Sequence, residues 1–146
     1  MQPAIPVVLM PGSTIRVRVA PKTRAHRYYG MGSPYGYVVD GVEGGTMHVL
    51  RDAMYRIDVE PMPVGGSTHP LYASTAAMGG AGAPAPLRGV TGVGVVGSAP
   101  FHVDAHAPSA FFYACTVHPW MGGNVVVHER WAPPPGGNVN NACAIC

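Results

Sequence analysis

Charged side chains are scarce in this chain, making up only 11% of its 146 residues, whereas a soluble domain carries about 25%. One lysine stands against eight arginines, and the arginines are scattered, so the net charge of +2 gathers into no basic stripe. Nucleic-acid binding by phosphate neutralisation is therefore set aside as a function class. Cysteine is scarce too, and its odd count of three argues against a disulfide framework. Long apolar runs are missing: no stretch approaches the roughly 18 residues of a membrane-spanning helix. Pro3, Pro6 and Pro11 interrupt the N-terminal residues, so no basic leader followed by an unbroken apolar stretch is present. The expectation is a protein working inside a cell or a virion, or the mature form of a secreted one. Helical periodicity is also lacking, because the segments between residues 13 and 59 nowhere repeat apolar side chains at i, i+3, i+4 and i+7.

What the chain does have is glycine and proline, 20 and 16 residues, set between apolar runs of strand length. Residues 13–19 alternate Ile15, Val17 and Val19 with polar neighbours, the period of a half-buried strand. Residues 20–34 are basic, aromatic and glycine-rich, with Arg24, His26, Arg27, Tyr28 and Tyr29, and read as an exposed loop. A short strand over residues 37–39 runs into an Asp40-Gly41 turn. Residues 46–50, a turn at Arg51-Asp52, and residues 55–59 predict an antiparallel pair with Tyr55, Ile57 and Val59 inward and Arg56 and Asp58 outward. Residues 78–98 are expected to wander over the surface. Further strands follow at 101–104, 110–115 and 124–128. Seven or eight short strands with turn signals between them predict an all-β fold, a Greek-key β-sandwich, over residues 1–131. Residues 132–146, rich in Pro, Gly and Asn, predict a disordered tail.

The most informative stretch is F-F-Y-A-C-T-V-H-P-W-M-G-G-N-V-V-V, residues 111–127. Cys115, His118 and Met121 follow one another with two residues between each, on a short loop joining two strands. Thiolate and thioether sulfur favour copper, imidazole suits copper or zinc, and Met is a poor zinc ligand. Three donors on one loop do not close a coordination sphere. His69, at a strand start after Gly65-Gly66 and inside an otherwise apolar segment, is the best-placed fourth. His26, His48, His102, His106 and His128 compete, and each reads as a surface residue or a satisfied core residue.

The string C-T-V-H-P-W-M-G-G resembles the short ligand loop of cupredoxins of the amicyanin type. The order of the earlier segments, Y-V-V-D-G, Y-R-I-D-V, T-H-P-L-Y-A-S, R-G-V-T-G-V-G-V-V-G and F-F-Y-A-C, resembles single-domain plastocyanin- and azurin-like proteins from about residue 13 to residue 128. The resemblance implies one copper ion with His69, Cys115 and His118 as equatorial ligands and Met121 as axial ligand. It also implies one-electron transfer between Cu(I) and Cu(II), with a redox partner docking transiently near His118 and Trp120, rather than an enzyme. Copper storage, delivery or a structural role is the alternative, and a redox enzyme acting on nitric oxide or superoxide is a third reading. The sequence departs from the family at Pro70, where many cupredoxins place an asparagine whose side chain bonds across to the ligand loop. Support for the thiolate is then expected from backbone amides, helped by Thr116. At the C-terminus, Cys143-Ala144-Ile145-Cys146 reads as disordered chain, as a soft-metal pair, or as the acceptor of a lipid anchor at Cys143.

Overall fold

The computed structural model describes residues 7–60, 69–80, 87–91 and 97–129. Ten strands occur among them: β1 (Thr14–Pro21), β2 (Tyr35–Val39), β3 (Val42–Glu43), β4 (Met47–Leu50), β5 (Ala53–Val59), β6 (Leu71–Ser74), β7 (Val90–Thr91), β8 (Gly97–Val103), β9 (Ala110–Cys115) and β10 (Gly123–His128). They form two sheets, one in the order β3-β2-β1-β5-β8-β7 and one in the order β4-β10-β9-β6. The fold is the expected all-β sandwich, with β3 and β7 as two-residue additions to the anticipated strands. No helix among the described residues is long and apolar enough to cross a membrane.

Alternation builds the core. In β1 the inward Ile15 and Val17 are buried while Thr14, Arg16 and Arg18 face water. In β5, Tyr55, Ile57 and Val59 are buried and Arg56 is exposed, as the sequence pattern requires. Met47 and Val49 of β4, Phe111 and Tyr113 of β9, and Val125 and Val127 of β10 close the core from the second sheet.

One expected pairing is corrected. β4 and β5 are not a hairpin: they belong to different sheets. β4 runs parallel to β10, with Met47 opposite Val125, while β5 lies between a parallel β1 and an antiparallel β8. The turn between them carries Asp52 with φ 60° and steps from one layer to the other. Alternation identifies the buried face of a strand, and that face is the same whether the next strand lies beside it or across the core. The Tyr55 hydroxyl fastens this step, accepting from the Leu50 amide at 2.9 Å and donating to the Leu9 carbonyl at 2.8 Å.

Two further expectations change. Within residues 78–98 the described parts include β7 and the start of β8, whose Gly97, Ser98, Ala99 and Pro100 pair with Val59, Asp58, Ile57 and Arg56. Residues 20–34 are not a solvated loop throughout: Ala20 and Pro21 extend β1, and His26 and Ser33 are buried. The domain boundary at residue 131, the tail and its two cysteines lie outside the described residues.

Candidate metal centre

β9 places its odd-numbered side chains inward, so the alternation that buries Phe111 and Tyr113 also delivers Cys115 to the interior at the end of the strand. The chain then turns through residues 116–122 and re-enters the sheet as β10. Gly122 permits that return, since a Cβ there would fall inside the Tyr113 carbonyl. On the other side of β9, β6 pairs antiparallel with Leu71 opposite Cys115, which leaves His69 just beyond the paired residues at the same end.

These placements bring three of the four predicted residues together. Nδ1 of His69 and Nδ1 of His118 each lie 3.9 Å from the Cys115 Sγ, and the three donor atoms all lie within 4.8 Å of one another. The two imidazoles face each other at 4.7 Å between ring centroids, tilted by 44°. A metal at about 2.0 Å from nitrogen and about 2.3 Å from thiolate, with an angle near 120° between them, separates those donors by roughly 3.7 Å. The observed 3.9 Å on both sides fits such an ion. Cys115 is wholly buried, His69 is 5% exposed, and His118 is half-buried. Met121, the fourth predicted residue, is also wholly buried and ends the same loop.

At Pro70 the tie across to the loop is made by main chain. The Pro70 carbonyl accepts the Thr116 amide at 3.0 Å, so the residue after His69 is tied across to the loop without a side-chain donor. The Val117 amide donates to the Cys115 Sγ at 3.4 Å, the backbone support expected for a thiolate. Thr116 contributes its backbone, not its hydroxyl. The loop is held from outside as well: Gly80 N–H donates to the Cys115 carbonyl at 2.8 Å and Trp120 N–H to the Met78 carbonyl at 2.7 Å. Trp120 takes a positive φ of 62° to make this turn.

Below the cluster lie two buried tyrosines whose rings are 6.2 Å apart. The Tyr37 hydroxyl donates to the His69 carbonyl at 2.7 Å and the Tyr113 hydroxyl to the Gly45 carbonyl at 2.6 Å. Burial pushes both phenols up from their ordinary value, and the nearby Cys115 adds to the effect on Tyr37, so both stay neutral donors. His69 is lowered by burial and then by the neighbouring His118, which favours the neutral imidazole that a metal requires.

The segment after β1 supplies what sequence reasoning missed. His26, read as an ordinary residue of a basic loop, is 3% exposed and lies against the Met121 carbonyl, with Nε2 at 3.2 Å. Tyr28 packs on Trp120 with ring centroids 5.0 Å apart, and Ser33 N–H donates to the Pro119 carbonyl at 3.0 Å. The strap carries no local signal: room for the His26 ring comes from Gly36 and Gly44 downstream, whose missing side chains leave the space. The remaining histidines stay outside the cluster: His48 and His128 bond to each other at 2.8 Å, His102 lies on β8, and His106 is in an exposed loop. The all-β sandwich with a His-Cys-His cluster is compatible with a cupredoxin. No family model and no curated protein matches the chain.

Proposed function

We propose that the chain is a mononuclear type 1 copper protein that carries one electron at a time. The observation that supports this most is the convergence of His69 Nδ1, Cys115 Sγ and His118 Nδ1 within 4.8 Å of one another, with both nitrogens 3.9 Å from the sulfur, in a largely buried place. Copper bound there would supply the Cu(I)/Cu(II) couple. In this reading Cys115 provides the thiolate, His69 and His118 the nitrogen donors, and the buried Met121 a weak axial thioether. The preformed frame of Tyr37, Pro70 and Val117 keeps the donors in one arrangement, which suits rapid electron exchange because little needs to move.

His118 is the exit for the electron. It is half-buried, while its neighbour Val117 is 54% exposed and Met78, bonded to the same loop, is 51% exposed. A small apolar face of this kind suits weak, short-lived docking to a redox partner. Reconstitution with Cu(II) tests the reading: an intense thiolate-to-copper visible band and fast reversible reduction are expected, and both disappear in Cys115→Ala. A colourless protein that retains only Cu(I) or zinc would overturn electron transfer and leave storage or a structural site.

A further inference from the structure

The strap and the ligand loop run alongside each other, with successive contacts from His26 to Met121, Tyr28 to Trp120, and Ser33 to Pro119. Of these, the His26 contact is fully specified chemically. The Tyr28 backbone N–H donates to His26 Nδ1 at 3.1 Å, so that nitrogen is the acceptor and the neutral ring carries its proton on Nε2. Nε2–H then donates to the Met121 carbonyl at 3.2 Å. The same carbonyl accepts the Tyr37 amide at 2.8 Å, so both of its lone pairs are used. Tyr37 belongs to the opposite sheet, and its hydroxyl holds the His69 carbonyl.

The ring sits in a cradle made by residues without side chains. A Cβ on Gly36 would stand 2.6 Å from Nε2, and one on Gly44 would stand 3.1 Å from Cε1. The imidazole is therefore confined on one side by backbone, and its Nε2 is aimed at one oxygen.

We infer that His26 is a positioning residue for Met121: together with the Tyr37 amide it pins the Met121 peptide, tying it to the strap after β1, and so determines where the thioether stands relative to Cys115, His69 and His118. The inference rests on the copper reading for its spectroscopic arm and is independent of it for its nuclear magnetic resonance arm. A mere core-filling histidine would stabilise the fold without acting through Met121.

The test uses the full chain and the variants His26→Ala, His26→Gln, Gly36→Ala and Met121→Leu. Long-range proton–nitrogen correlation in the metal-free protein should show His26 protonated on Nε2. Copper-loaded His26→Ala and Gly36→Ala should still bind one ion per chain, but should shift the ratio of the thiolate-to-copper visible bands and the copper hyperfine splitting in a common direction. His26→Gln, whose side-chain amide can donate to the same oxygen, should recover most of the wild-type spectrum. In the Met121→Leu background, removing His26 should add no spectral shift. A proton on Nδ1, a wild-type spectrum in folded His26→Ala, or additive shifts with Met121→Leu would each overturn the assignment. If His26→Ala does not fold, Gly36→Ala and His26→Gln carry the same comparison. If the wild-type protein shows no thiolate band, the copper reading fails; the inference is then decided by whether the Met121 methyl resonance of the metal-free protein moves in Gly36→Ala and returns in His26→Gln.

Discussion

The Tyr37 hydroxyl donates a 2.7 Å hydrogen bond to the backbone carbonyl of His69, joining β2 of one sheet to the residue that enters β6 of the other. Phenylalanine at position 37 keeps the ring in the core but leaves that buried carbonyl without its partner. Tyr37→Phe should cost about 1–3 kcal/mol in urea unfolding of the metal-free protein. A loss of only a few tenths would mean that the carbonyl finds another donor.

Cys115 is the donor common to both short contacts of the cluster. Cys115→Ser keeps the size of the side chain and removes the thiolate. It should abolish the visible charge-transfer band and the retention of copper through desalting, while the far-ultraviolet circular dichroism stays that of a β-sandwich. Retention of the band would place the thiolate elsewhere.

Mild acid should weaken the metal-free fold through its buried and half-buried histidines. His26, His48 and His69 are all lowered from the ordinary value of 6.5, in each case chiefly by burial. The unfolded chain therefore takes up protons first as pH falls. Their contribution to stability is whole above about pH 6.5 and declines below it until the folded-state values are reached. The urea midpoint should be flat from pH 8 to pH 7 and fall between pH 6.5 and pH 5. His48→Gln, which removes one partner of the His48–His128 pair, should shallow that slope; an unchanged slope would assign it to the other two histidines.

Gly122 marks the tightest backbone approach near the site, against the Tyr113 carbonyl. Gly122→Ala must separate β9 from the start of β10 and should cost about 3 kcal/mol or more. Gly41→Ala provides a contrast, because a Cβ there meets nothing within 4 Å and only its positive φ of 84° is strained. Thermal unfolding of the two should differ, with position 122 the more sensitive.

Much of the fold was legible because alternation is local. Ile15 and Val17, or Tyr55, Ile57 and Val59, declare a buried face without reference to the rest of the chain. Partner choice is not local, and for that reason β4 and β5 look like a hairpin in sequence and lie in separate sheets in space. The Cys115 and His118 pair was legible from spacing on one loop, and His69 from its place at a strand start once that loop called for a further donor. His26 was not legible. Its burial depends on two glycines downstream, and its bond to Met121 spans most of the chain.

The position of β10 constrains when the centre can exist. β10 lies inside its sheet, between β4 and β9, and Met47 has no strand partner until Val125 arrives. The turn bearing Cys115, His118 and Met121 is closed only by that same strand. Pairings this distant in sequence are slow to form, because a long loop must be closed first. A nascent chain that has not yet made β10 therefore holds the thiol and both imidazoles without the geometry that unites them, and in the proposed reading an ion can enter only after β10 has paired.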